Sequence, residues 1–300
     1  MAASSRVTTD GLFGAPLQSG TVFLNSLADF YDSFKGPHSL ILLGHCLWCA
    51  YAFRSNSVGL VQRYVLGFWI VFLGSFGGGV VTSLLMQRPD VVPNPAFSDA
   101  RILPYTLAAW YLVQYTSIGD MFSAVWPLRM LCRFASTFCR ASLICQRTDA
   151  AAKLFPGVPG AALLLGTLAG TGGKLLTEYI LHHLGHLNHP SEVTLPSYAL
   201  RSGFIGAGTY LVSVYLLPPE SQLNTAQGKA VVITVLLLQT LVSTLWGREV
   251  DITAPFKATF HAVTGIPEYT GEHPQPPKPQ QPPAAQQQRK QKDRAEKKKQ

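Results

Sequence analysis

Few side chains in this sequence are spaced for chemistry, and most of those lie in apolar surroundings. His182, His183, His186 and His189 recur at spacings of 3 and 4 after the first pair, which on a helix could present imidazoles to one metal ion. No acid stands among them, and Gly185 and Pro190 mark a helix end, so a fraying terminal turn accounts for them equally. Cys46-Leu47-Trp48-Cys49 has redox spacing but sits in an apolar run without a βαβ context. Cys132, Cys139 and Cys145 also fall in apolar stretches, the pattern of buried thiols and not of a disulfide framework. Gly-x-Ser-x-Gly, Walker and kinase motifs are absent. The chain is therefore expected not to be an enzyme, with no catalytic residue, no metal site and no cofactor.

Charges embedded in apolar sequence are more informative. Arg129, Arg133, Arg140 and Arg147 follow Pro127 at spacings of 4, 7 and 7. At helical periodicity they fall at roughly 0, 40, 20 and 0°, one narrow stripe. Such a stripe fits either a helix lying on a membrane surface or a span whose basic face meets water or anionic lipid headgroups. Lys174 and Glu178 are four apart and can meet on one helix face, which suggests a polar lumen or mutual neutralisation.

Two glycine clusters accompany these charges. Gly74-Ser75-Phe76-Gly77-Gly78-Gly79 lies in the run from Tyr64 to Met86, which has no charged residue, and Gly166 to Lys174 repeats the arrangement. Glycine costs about 1 kcal/mol against alanine inside a helix, so a plain anchor would not carry so many. Gly74, Gly77, Gly78, Gly79, Gly170, Gly172, Gly173 and Lys174 are the candidates for a kinked, pore-flanking position, where exposed carbonyls could meet a partly dehydrated monovalent cation. Close contact between helices is the other reading. Thr82 and Ser83 could offer hydroxyls to a lumen or bond their own backbone.

The elements that must hold these residues follow from composition. Of 300 residues, 13% are charged and 47% hydrophobic, where soluble domains carry about a quarter charged residues. The chain is read as an all-α membrane protein with spans at 38–53, 64–86, 102–126, 128–146, 156–184, 196–217 and 230–246, in a transmembrane domain of 22–247. Residues 1–21 are expected to be disordered, 22–34 to form an interfacial lead-in, and no secretory signal is expected. The tail, 248–300, is Pro/Gln-rich and then basic. From Pro274 onward eight Lys/Arg stand against two Asp/Glu, a local excess of +6 beside the chain's net +8, so the charge sits in the tail and a nucleic-acid partner is not expected. A basic run beside the last span argues for a cytosolic C terminus. Lys297 and Lys298 fit a dilysine retrieval address, and a polybasic segment drawn to anionic lipid is the other reading.

The halves share a layout. Gly79 to Pro104 spans 25 residues and Gly172 to Pro196 spans 24, and Tyr-Leu-Val recurs at 111–113 and 210–212. Three spans per half would give inverted repeats, a plan common in transport proteins.

At this point the sequence resembles the trimeric intracellular cation (TRIC) channels over roughly residues 25–247. The similar residues are Gly74-Ser75-Phe76, Ala108-Ala109-Trp110-Tyr111-Leu112-Val113, Asp120 and Gly170-Thr171-Gly172. Where the family carries Lys-Glu-Val in its fourth helix, this chain has Ser136-Thr137-Phe138, while Arg140 stands at the family's Arg. The resemblance implies seven helices as two inverted three-helix repeats plus a seventh, in a homotrimer with one pore per subunit. It also implies K⁺ permeation in the endoplasmic reticulum membrane as counter-ion flow during calcium movement. A phosphoinositide or other anionic phospholipid headgroup is the implied ligand, with Arg140 carried over and Arg129 and Arg133 as further candidates. The alternatives are a small-solute transporter with glycine hinges and a non-conducting seven-span receptor or scaffold.

Overall fold

The computed structural model describes residues 14–34, 38–56, 63–90, 92–186 and 197–246, with three isolated positions at 262, 263 and 265. Among the described residues all regular structure is helical: α1 (Gly14–Ser33), α2 (His38–Asn56), α3 (Tyr64–Met86), α4 (Pro95–Ser98), α5 (Ile102–Tyr115), α6 (Ile118–Ala124), α7 (Trp126–Leu154), α8 (Pro159–His183), α9 (Tyr198–Leu211) and α10 (Thr225–Leu245). Among them only α3 and α10 are both long and apolar enough to cross a membrane by that criterion alone.

Local chemistry sets the ends. Pro127 and Pro159 open α7 and α8, where a missing N–H costs nothing. Asn224 and Gln227 form a capping box at the start of α10. Gln87 closes α3 in a left-handed conformation, its N–H bonded to the Ser83 carbonyl. After α9 the chain continues as a single π-helical stretch, Val212–Leu216. An α-helix would hold residues five apart roughly 140° from each other. The wider turn lets the Tyr210 and Tyr215 hydroxyls reach the same Asp149 Oδ1, at 3.3 and 2.6 Å.

The third expected span, 102–126, is not one helix. It stops at Tyr115 because Thr116 is extended (φ −123°, ψ 167°), and its hydroxyl accepts the Ile118 N–H at 3.2 Å to restart the chain as α6. α1 begins at Gly14, inside the stretch expected to be unstructured. The expected spans correspond to α2, α3, α5 with α6, α7, α8, α9 with its π-turn, and α10. Since α1 and α4 come in addition, the helices do not reduce to a plain count of seven.

Two helix groups build the interior. In one, Cys46 and Ala50 of α2, Val71, Phe72 and Phe76 of α3, and Ala109, Trp110 and Val113 of α5 form a core. In the other, Ala141, Ile144 and Cys145 of α7 pack on Ala207 and Tyr210 of α9 and on Val232, Ile233 and Leu236 of α10. α8 packs on α7 and α9, and the groups are joined by α3 against α8 and α2 against α7. α7 is thus ringed by α2, α8, α9 and α10, a setting that a helix lying on a membrane surface does not have.

The α3–α8 contact runs backbone to backbone. A Cβ on Gly78 would lie 2.1 Å from the Ala169 carbonyl oxygen, and one on Gly173 would lie 2.5 Å from that of Leu73. Gly77 and Gly172 face Gly173 and Gly78 across the same crossing, with Cβ positions only 2.9 and 3.0 Å from the opposing Cα atoms. Gly74 meets nothing nearer than Thr177 Cγ2 at 3.8 Å. Gly78→Ala should therefore destabilise the protein by about 1–3 kcal/mol. Gly74→Ala should stay within about 1 kcal/mol of wild type or gain stability. Thermal unfolding of the two detergent-solubilised variants, followed by circular dichroism, checks the difference.

Candidate functional site: a cavity between the two helix groups

Between the groups lies a cavity of about 1400 Å³. Its wall takes His45 and Cys49 from α2, Gly74, Ser75 and Gly78 from α3, and Gly170, Gly173, Lys174 and Glu178 from α8. α7 contributes Ser136, Arg140 and Arg147. The glycine clusters therefore do two things at once. One face of each makes the crossing, and the adjacent positions leave a wall without side chains.

These glycines do not interrupt the helices in which they lie. α3 and α8 run through their clusters as uninterrupted α-helices, because the crossing stabilises a backbone that glycine alone would weaken. Nor are carbonyls left bare at Gly78 and Gly79. The Thr82 hydroxyl lies 2.9 Å from the Gly78 oxygen, and the Ser83 hydroxyl lies 2.7 Å from that of Gly79. Gly79 instead makes room for Pro95, whose ring would lie 2.7 Å from an added Cβ, and Gly170 makes room for Ile144.

The arginine stripe is inward-facing and is shared among several helices. Arg129 donates to the Ser123 carbonyl at 3.2 Å near the start of α7. Arg133 reaches Thr244 Oγ1 at 3.3 Å and lies over the Trp48 ring. Arg140 donates to Ser202 Oγ and lies over the Tyr198 ring, and its Nε has no partner. Arg147, 3% exposed, donates to Ser83 Oγ at 3.3 Å and to the Pro93 carbonyl at 3.0 Å. Its Nε, too, is unpartnered. No carboxylate forms an ion pair with Arg140 or Arg147 among the described residues. Lys174 and Glu178 do meet, at 3.6 Å.

The three residues that stand for Lys-Glu-Val each tie α7 to a different helix. Ser136 Oγ is 3.0 Å from His45 Nδ1, Thr137 Oγ1 is 2.9 Å from Thr240 Oγ1, and Phe138 meets Tyr31 at a tilt and Phe34 edge-on. The cavity lining holds four bases (Arg140, Arg147, Lys174, Lys229) and four acids (Asp32, Asp99, Asp149, Glu178), so its field has no single sign. At one end Asp99 accepts hydrogen bonds from Arg101 and, with its charge, holds that guanidinium above its ordinary range.

Other candidates are dispersed. Cys46 contacts Thr106 Oγ1 at 3.7 Å while Cys49 faces His45, so the Cys-x-x-Cys pair points two ways and both thiols are free. His186 meets Arg63 at 3.2 Å. His182 and His183 end α8, and no metal-binding group of three includes them among the described residues. His189, Lys297 and Lys298 lie outside the described residues. The shared Tyr-Leu-Val is used differently in its two copies, for Tyr111 is 55% exposed and Tyr210 2%. His45 and Arg147 were not among the candidates from sequence. A histidine within an apolar run and a fourth arginine in register with the stripe were the available signals.

The described helices thus form two groups around a mixed-charge cavity walled by two glycine-rich helices that cross each other. The family model described as TRIC channel matches residues 55–246, and the chain belongs to that family. Solved structures agree in fold. One, from work on the structural basis for activity of TRIC counter-ion channels in calcium release, is 18% identical, covers 69% of this chain and 92% of its own, and has a TM-score of 0.59. A trimeric intracellular cation channel from C. elegans with bound Ca²⁺ is 18% identical, with 73% and 96% covered and a TM-score of 0.56. Its Ca²⁺-free counterpart is 16% identical, with 76% and 98% covered and a TM-score of 0.57. No individually curated protein matches the chain.

Arg147→Met should leave the Pro93 carbonyl without its charged donor. Bonds to charged groups contribute about 1.5–3 kcal/mol, so amide exchange at Val92 should quicken by roughly tenfold or more. Site-resolved hydrogen–deuterium exchange measures it.

Proposed function

We propose that this chain is one subunit of a homotrimeric, K⁺-permeable channel of an endoplasmic-reticulum-type membrane, giving counter-ion flow during calcium release and uptake. The observation that carries this reading is the cavity bounded by both glycine-rich helices, in a chain of the TRIC channel family. Each subunit would conduct through its own cavity, with α2, α3 and α5 as one repeat, α7, α8 and α9 as its inverted counterpart, and α10 as the seventh span. The similar structures come from work on counter-ion channels in calcium release and on a trimeric intracellular cation channel, which supports the trimer and the role. An anionic phospholipid headgroup, a phosphoinositide above all, would meet Arg140 from within the cavity and compensate a guanidinium that has only neutral partners. Arg129 and Arg133 would act nearer the start of α7. The C terminus would be cytosolic, with Lys297 and Lys298 as a retrieval signal.

Purified protein in a planar bilayer tests the reading. Discrete single-channel steps in symmetric K⁺ are expected, and Ser136→Trp, which fills the cavity wall, should lower unitary conductance. Saturable solute exchange without steps would favour the small-solute transporter, and silence in both assays the scaffold.

A further inference from the structure

We propose that His45 and Cys49 form a binding site for a single soft divalent cation, of the Zn²⁺ or Cd²⁺ class, in the wall of the cavity. The two residues are four apart on α2, so they share a face. His45 Nδ1 and Cys49 Sγ are 3.8 Å apart. A tetrahedral ion with nitrogen at about 2.0–2.1 Å and sulfur at about 2.3 Å separates those donors by roughly 3.5 Å. A small side-chain rotation closes the difference.

The ring is already set in the tautomer such an ion needs. His45 Nε2 lies 3.1 Å from the Ser75 carbonyl oxygen. A carbonyl only accepts, so Nε2 carries the proton and Nδ1 presents its lone pair toward Cys49. Metal-binding imidazoles commonly donate their other N–H to a backbone carbonyl in this way. Packing holds the ring, since His45 is 7% exposed and stands edge-on to Phe76 with centroids 5.4 Å apart. Ser136 Oγ, 3.0 Å from the same Nδ1, is an oxygen donor at hand. Access is through the cavity, which both residues line.

Among the described residues no third His, Cys, Asp or Glu completes a cluster, so the ion would keep water in its open positions. Arg140 lines the same cavity and opposes a divalent cation. The thiolate offsets that charge, because Cys49 binds deprotonated and releases its proton to solvent when the ion enters. A nitrogen–sulfur pair selects soft ions over Ca²⁺ and Mg²⁺, which take oxygen ligands.

Purified full-length protein titrated with Co²⁺, a spectroscopic stand-in for Zn²⁺, should develop a near-ultraviolet sulfur-to-metal absorption band that Zn²⁺ displaces and Ca²⁺ does not. Cys49→Ser and Cys49→Ala should abolish the band, and His45→Gln should weaken binding by about tenfold or more. Cys46→Ser and Cys139→Ser should leave it unchanged. In the unaltered chain, Zn²⁺ should slow alkylation of Cys49 and not of Cys139, as read by site-resolved mass spectrometry. The absence of a band in wild type, its survival without Cys49, or unprotected alkylation of Cys49 would each overturn the site. Because these readouts need no ion flow, they stand or fall separately from the conduction measurement.

Discussion

The contact on which the rest depends is the meeting of α3 and α8 without side chains between them. Gly78 faces the Ala169 carbonyl and Gly173 faces that of Leu73, each at a distance that no Cβ could occupy. Such proximity maximises dispersion contact and excludes solvent from the seam, which is how helices associate where lipid supplies no hydrophobic drive. It also decides what surrounds the seam. Beside the crossing Gly74 and Gly170 both line the cavity, Gly74 leaving room as far as Thr177 and Gly170 taking the Ile144 side chain against its backbone.

α7 supplies the polar counterpart. From Arg133 onward its arginines are about two turns apart, so successive ones meet different helices along one line. Arg133 meets α10, Arg140 meets α9, and Arg147 meets α3 together with the Pro93 carbonyl. The partners of Arg140 and Arg147 are neutral oxygens and an aromatic face, which satisfy donors without cancelling charge. Buried charge of this kind is costly without compensation, so the cavity wall keeps a standing demand for an anion or for water near Arg140. The Lys174–Glu178 pair has no such demand because each cancels the other.

The cavity is also where the two helix groups are stitched together by small polar contacts. His45 bonds the Ser75 carbonyl of α3 within its own group and reaches across to Ser136 of α7 in the other, while away from the cavity Thr137 and Thr240 join α7 to α10 inside the second group. Each bond is worth little by itself. Together they fix the angular register of α7, whose stripe could otherwise rotate toward any of its neighbours.

By itself the sequence determined the helical class, most helix ends, the arginine stripe and the pairing of Lys174 with Glu178, because each depends on neighbours within a few turns of one chain. Composition argued against a soluble, charged surface, and Pro127 marked a start through backbone chemistry alone, whereas α8 and α10 begin at Pro159 and Thr225 and not at the expected 156 and 230. Tertiary structure decided what the glycines are for. Sequence spacing gives two weakened helices, and whether they bend or lock depends on which backbone comes to lie against which, a property of no single segment. The same holds for Thr82 and Ser83, turned onto the Gly78 and Gly79 carbonyls with Ser83 also donating to that of Pro93, for the break at Thr116, and for Tyr111 and Tyr210, alike in sequence yet one exposed and one buried. His45 was legible only as a histidine in an apolar run. Its neighbours, 30 and 91 positions away along the chain, arrive through the packing of α2 on α3 and α7, and no local period encodes that.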